Sequence, residues 1–461
     1  MTKQIKIANG AGFLGDNLDA PRRLVEAVDV DYLTLEYLAE LTLSILARNR
    51  EKNPAAGYAD DFLDVLASLT PALRSQSQLR LVTNAGGMNP AACARATAAL
   101  LAAGGLPDTK IGVALGDDIL PLIPGWLAAG EPLENLDTGQ PLCELGARLV
   151  SANVYLGARP ITVALDAGAR IVITGRVADA SLTVGPAMSE FGWAWDDWRR
   201  LAGASVAGHL IECGAQVTGG YSNHWQGQDL AQVGYPIAEL ASDSSCVVTK
   251  PPGTGGSVTR QTVVSQLVYE IGDPAHYLTP DVDVDFTTVD VTDRGGDRVA
   301  VSGATGRPAP ARLKASLAYA AGYAASGQLL VYGRDCVAKA RAVAEMIRAR
   351  LDAAGCRFDA FHIELLGAGD ATPGLTAAPR ATREIVLRVA VRAPERAMVE
   401  RFTKEFAPLV TSGPAGLAGY ASGRSPVRPV FAYWPTLAPR DFMTSVETHT
   451  AAQWLTRPEP M

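Results

Sequence analysis

At 461 residues the chain is long enough for two or three domains, because single hydrophobic cores stop growing near ~250 to 300 residues. Its 48% apolar and 19% charged residues are those of an ordinary globular protein. A net charge of −7 and a pI near 5.4 exclude nucleic acid as the bulk partner, which would need a basic patch to release counterions.

No apolar run reaches the ~18 residues of a membrane span. Lys3 and Lys6 are followed by a glycine-rich, acidic segment and not by an apolar export signal. A cytoplasmic address is therefore expected, with no membrane partner. The six cysteines, Cys93, Cys143, Cys213, Cys246, Cys336 and Cys356, form no C-x-x-C pair and are read as reduced thiols.

The first predicted strand, Ile5 to Ala8, runs into Asn9-Gly10-Ala11-Gly12-Phe13-Leu14-Gly15-Asp16, a glycine-rich loop at a strand's carboxyl end. The letters spell G-x-G-x-x-G, and Glu36 closes the next apolar run. In a dinucleotide fingerprint, however, the third glycine already lies in the helix that faces the pyrophosphate. Here Asp19 reads as the N-cap and Pro21 as an early helical position, so the helix begins too late. Asn9, Asp16 and Asn17 make the loop a wall of a polar pocket instead.

Further strands are predicted at Tyr32 to Glu36, Leu79 to Thr83, Lys110 to Leu115, Asn153 to Leu156 and Arg170 to Thr174. They alternate with helices at Pro21 to Val28, Leu38 to Arg50, Asp61 to Ser75, Pro90 to Ala103, Ile119 to Ala128, Arg159 to Ala167 and Asp179 to Phe191. This rhythm predicts an α/β fold, a parallel sheet with helices on both faces, over residues 1–285. Short strands around Cys246 to Lys250 and a helix from Val258, capped by Ser257, follow in a less regular extension. From residue 286 to 461 a hairpin around Asp293-Arg294-Gly295-Gly296-Asp297 precedes the order βαββαβ. That order predicts a second, α+β ferredoxin-like domain suited to a subunit interface, and a homo-oligomer is expected.

The ends of parallel strands share one rim, which would gather Asn9, Asp16, Glu36, Asn84, Gly86, Gly87, Asp117, Asp118, Asn153, Arg176 and Asp179. Asn84-Ala85-Gly86-Gly87-Met88-Asn89 opens onto a helix N-terminus that would favour a carboxylate or phosphate; the alternative is that Asn89 caps its own helix. Arg176 is a candidate bidentate clamp for a substrate anion, or else a salt-bridge partner of Asp179. Lys250 is either a counter-charge for an anionic substrate or an exposed hairpin lysine.

The densest polar segment, Gly208 to Trp225, carries His209, Glu212, Cys213, Tyr221 and His224. If His209 and Glu212 are helical they lie three apart on one face, an acid/base pair or two metal ligands. His224 would be the third ligand of a metal, or with His209 the base for a Cys213 nucleophile. Glu212 is the preferred general acid or base, and no metal is expected, because H-x-x-E matches no established zinc spacing.

These blocks, together with Asp31 to Glu40, Asn153 to Ala158, Ile173 to Asp179, Glu190 to Trp193 and Gly234 to Glu239, resemble the acyclic terpene utilisation (AtuA) family over essentially the whole chain. The resemblance implies catabolism of branched isoprenoid acids, whose intermediates are coenzyme A thioesters, without supplying a reaction or catalytic residues. The expectation is an enzyme acting on a branched acyl substrate, with coenzyme A as part of the substrate and no cofactor required. Hydration, lyase cleavage and thioester hydrolysis stay open. So do an NAD(P)-dependent oxidoreductase and a noncatalytic subunit of a pathway complex.

Overall fold

The computed structural model describes residues 3–375, 382–419 and 423–457. It divides into two compact units, one formed by the chain up to Ala318 together with the part from Tyr433 onward, the other by Tyr319–Ala432. The division differs from the expected one at residue 286. Residues 286–318 pair with strands of the first unit, and so does a late strand, Ser445–Thr450.

The first unit is built on a ten-stranded mixed sheet. Its centre is parallel, in the order Gln4–Ala11, Tyr32–Leu35, Arg80–Thr83, Ile171–Thr174 and Lys110–Leu115. Tyr32–Leu35 and Ile171–Thr174 are buried along their whole length, as strands covered by helices on both faces must be. The register sets Leu33 beside Leu81 and Leu81 beside Ile171. The main core gathers Leu33, Phe62, Leu66, Leu81, Ile171 and Ile173.

The sheet is not wholly parallel as expected. Ile237–Ala241 pairs antiparallel with the first strand, and Cys246–Thr249, Val299–Ser302 and Asp290–Asp293 extend that side. The predicted hairpin around Gly295 and Gly296 is real, but it ends this sheet instead of opening the second unit. On the other edge Ser445–Thr450 runs antiparallel to Lys110–Leu115. The pairings of Ile237–Ala241 with the first strand and of Ser445–Thr450 with Lys110–Leu115 join segments hundreds of residues apart and leave no local pattern.

The predicted caps fare unequally: Asp19 takes the N-cap position without a side-chain cap bond. Asn89 accepts from the amide of Ala92 at 3.3 Å ahead of Pro90, so the asparagine caps its own helix. The helix predicted from Val258 starts at Arg260, because Thr259 and Thr262 form a reciprocal capping box that Ser257 does not. Trp198–Glu212 is a 15-residue helix started by Asp197, which accepts from Arg200 N at 3.2 Å.

The second unit carries a sheet in the order Ala360–Leu366, Glu384–Ala393, Leu313–Tyr332, Leu417–Ala418, with antiparallel neighbours throughout. Helices Cys336–Ala353, Arg396–Thr403 and Phe406–Ser412 accompany it. Alternate residues of Glu384–Ala393 are buried, the pattern of a sheet with one covered face. Leu329, Val343, Ile347, Leu387, Phe402 and Phe406 share that core. A Cβ on Gly327 would lie 2.2 Å from the Phe406 ring, so only glycine fits there.

Candidate functional site

The parallel strands deliver their polar ends to one buried network. Glu36 follows the strand Tyr32–Leu35, and Asn84 follows Arg80–Thr83. Glu36 Oε1 accepts from the amide of Leu38 at 2.9 Å and from Asn84 Nδ2, while Asn84 Oδ1 accepts from the amide of Tyr37 at 2.8 Å. Oε2 of Glu36 is buried without a partner. Burial, reinforced by the charge of Asp179, pushes the Glu36 carboxyl up to about 8 against the pull of Arg176.

Arg176 follows the strand Ile171–Thr174 and is 2% exposed. Its guanidinium donates to the carbonyl of Leu38 at 2.9 Å and to Asp179 Oδ1 at 2.6 Å, and lies 3.7 Å from Glu36 Oε1. It also sits 4.2 Å from the centroid of the Tyr155 ring, whose hydroxyl donates to Glu40. Burial opposes the charge, but Asp179, Tyr155 and Glu36 outweigh it and keep Arg176 protonated. Its Nε has no partner. The backbone here is set by Asp117, whose carboxylate accepts from Arg176 N at 2.8 Å and from Asn153 Nδ2 at 2.8 Å. Burial raises Asp117 to about 6 in spite of those bonds.

The supposition that His209 and Glu212 are helical holds. They occupy the last turn of Trp198–Glu212, with Nδ1 of His209 3.0 Å from Oε1 of Glu212. The other ring nitrogen, Nε2, is 2.9 Å from the carbonyl oxygen of Gln266, whose own amide donates back to the carbonyl of His209 at 3.1 Å. A carbonyl only accepts, so Nε2 carries a proton and Nδ1 is left to exchange one with Glu212. Tyr277 and Phe286 wall the imidazole at ring separations of 5.8 and 5.5 Å. Burial raises Glu212 to about 7, offset in part by His209. For His209 burial works downward, but the Glu212 bond prevails and its pKa rises. The pair therefore holds one proton between two sites near neutrality. Oε2 of Glu212 is buried and unpartnered.

Asn9 ties the two halves together by supporting the helix end. Its Nδ2 donates to the carbonyls of Ile211 at 2.7 Å and Glu212 at 2.9 Å, groups that the end of a helix leaves free. Gly12 lets that helix end approach: a Cβ there would lie 2.8 Å from the backbone of Cys213. Asp16 accepts from the amides of Gly12 at 2.8 Å and Asn17 at 2.7 Å and from the Tyr235 hydroxyl. A carboxylate thus fills the loop where a dinucleotide's pyrophosphate would sit.

Other expected members fall elsewhere. His224 is exposed and meets Gln261 at 2.6 Å, so it joins neither His209 nor Cys213 as base or ligand. Burial first, then Glu212, pushes the Cys213 thiol up to about 12, the opposite of an activated nucleophile. Cys213 and Tyr221, the latter 93% exposed, line a separate cleft of about 360 Å³ with Asp16, Tyr235 and Tyr269. Gly86 and Gly87 serve close packing, since a Cβ would lie 2.5 Å from the carbonyl oxygen of Thr174 or from Leu46. Asp118 pairs with Arg50 at 3.5 Å. Lys250 is buried and bridges to Asp297 at 3.1 Å, which corrects the reading of it as an exposed hairpin lysine. Tyr155, Glu40, Gln266 and Tyr277 were given no site role from the sequence, although Glu40 closes the block Asp31 to Glu40 and Tyr155 lies within Asn153 to Leu156.

Among the described residues no three His, Cys, Asp or Glu side chains converge as a metal site, and no helix is long and apolar enough to cross a membrane. No curated protein and no solved structure matches the chain. A family model does, over residues 5–448, and its description is acyclic terpene utilisation family protein AtuA. With nearly the whole length matched, the chain belongs to the acyclic terpene utilisation family.

Proposed function

We propose that the chain is a catabolic enzyme acting on a branched acyl substrate, carried as a coenzyme A thioester, by acid/base chemistry centred on Glu212. The observation that carries this reading is the His209–Glu212 pair, 3.0 Å apart beside the buried cation of Arg176. A carboxyl raised to about 7 by burial is poised to give or take a proton at neutral pH. His209, its Nε2–H committed to Gln266, stores the proton that Glu212 exchanges. Arg176 supplies the positive field that an enolate or tetrahedral oxyanion needs, and Glu36 stays protonated beside it. Asp179, whose side chain is 34% exposed against 3% for Arg176, marks the open side of the network. Hydration, lyase cleavage and thioester hydrolysis all use this set.

The second unit's element and strand order supports a ferredoxin-like reading of Tyr319–Ala432, with pairing between copies as its role. Purified protein is to be assayed against a panel of straight and branched acyl thioesters and the corresponding free acids, with products read by mass spectrometry. Turnover of a branched thioester that collapses in Glu212→Gln is expected. Absence of turnover across the panel overturns the reading.

A further inference from the structure

The first unit holds a further cleft, of about 600 Å³ and with a largely apolar lining, that the acid/base network does not use. Two indoles, Trp195 and Trp198, one phenyl ring, Phe442, and two guanidinium groups, Arg159 and Arg440, line it. The one carboxylate present, Asp281, is already engaged: its oxygens accept from the amide of Ala158 at 2.9 and 3.0 Å and from the Ser181 hydroxyl at 3.0 Å. The cleft therefore carries an excess of positive charge in an otherwise acidic chain.

Arg159 is the informative residue. It stands in the first turn of the helix Arg159–Asp166, where the helix dipole disfavours a cation. Among the described residues no acidic side chain forms an ion pair with it; Asp281, bonded to the amide of Ala158, answers its charge only at longer range, and its guanidinium lies 4.6 Å from the centroid of the Trp195 ring. Arg440 donates to the carbonyls of Pro310 and Pro280, each at 2.7 Å, which leaves part of its donor fork open. A side chain held against its local electrostatic preference is expected where function requires it.

We propose that this cleft binds a nucleoside phosphate, with the base stacked on the indoles and the phosphates held by Arg159 and Arg440. Stacking surfaces and guanidinium groups in one cavity match an aromatic base joined to an anion, and neither feature alone selects that combination. Trp198 starts the helix that ends at Glu212. At 1.5 Å per residue the two are about 21 Å apart along its axis. A nucleotide in the cleft is thus a handle and not the reacting group. Its source is either a free nucleotide or the nucleotide end of a coenzyme A thioester, and the second source rests on the function proposed above. The wall between cleft and network is short, since Ser181, which bonds Asp281, follows Asp179 by two residues, and Leu156 of the cleft bridges to Val177 beside Arg176.

The test is calorimetric titration of the full chain with ADP, coenzyme A and adenosine. Expected is binding of at least one phosphorylated ligand below about 1 mM, with adenosine much weaker. Arg159→Ala weakens it by about ten- to a hundredfold. Because Arg159 opposes its helix dipole, that variant retains its fold; Trp195→Ala, checked by its melting temperature, is the second probe. Coenzyme A binding well above ADP identifies the thioester handle, and equal affinities identify a free nucleotide. No binding of either ligand at millimolar concentration overturns the proposal, as does binding undiminished in both variants. Nucleotide binding without acyl turnover removes the proposed function and leaves the cleft standing. Thioester turnover with a KM unchanged in Arg159→Ala does the reverse.

Discussion

His209 Nδ1 and Glu212 Oε1 face each other at 3.0 Å while the opposite ring nitrogen is bound to a carbonyl that can only accept. The carbonyl of Gln266 therefore decides the direction of proton exchange. Glu212→Gln keeps the size and one hydrogen bond but removes the exchangeable proton. Turnover is expected to fall by about two to four orders of magnitude, with the melting temperature nearly unchanged. A wild-type rate, measured on whichever thioester is turned over, would assign Glu212 a purely structural part.

Glu36 makes stability depend on pH. Its carboxyl is raised from 4.5 to about 8 in the folded chain, so between those values the folded state holds a proton that the unfolded state has released. Stability is then full below about pH 4.5 as far as this group is concerned, and declines as pH rises toward 8, by up to about 1.4 kcal/mol per pH unit. Glu36→Gln flattens that decline. Urea unfolding at several pH values from 5 to 9 checks it, and parallel curves for the two proteins would contradict it.

Arg176→Leu removes the cation that neutralises Asp179. Breaking a buried charge network from one side costs about 3 to 5 kcal/mol, so this variant is expected to lose much of its cooperative unfolding transition. The combined change Arg176→Leu with Asp179→Asn recovers part of the loss, because the stranded acid goes with it. Denaturant midpoints of the two variants are the measurement.

Cys213→Ser retains turnover within a few-fold, and iodoacetamide labels Cys213 slowly at neutral pH, because its thiol is held near 12. Rapid labelling with loss of activity would restore the thiol as a nucleophile.

The rim was legible because its central members come at or just after the ends of short apolar runs. Glu36 after Tyr32–Leu35, Asn84 after Arg80–Thr83 and Arg176 after Ile171–Thr174 needed only the rule that parallel strands end on one side. The spacing of His209 and Glu212 gave their pairing once the helix was granted. Tyr155 stands two residues after Asn153, yet nothing in the sequence says that its ring covers Arg176, and Gln266 reaches His209 from 57 residues away. The rim reading also placed Gly86 and Gly87 in a binding role, whereas Thr174 and Leu46 need them for packing. Composition could not separate these uses of glycine. The antiparallel flanks were hidden for a related reason: Ile237–Ala241 and Ser445–Thr450 are ordinary short strands until the pairing partner is known.

The pairing of Ser445–Thr450 with Lys110–Leu115 also bears on the chain's birth. At about 5 to 20 residues per second, the ribosome takes on the order of 15 to 60 seconds to travel from one partner to the other. Throughout that interval the strand Lys110–Leu115 is an open sheet edge, the kind of surface that recruits foreign strands. The nascent polypeptide is therefore most prone to aggregation while its second unit is being synthesised, and closing the first sheet is among the last events of its folding.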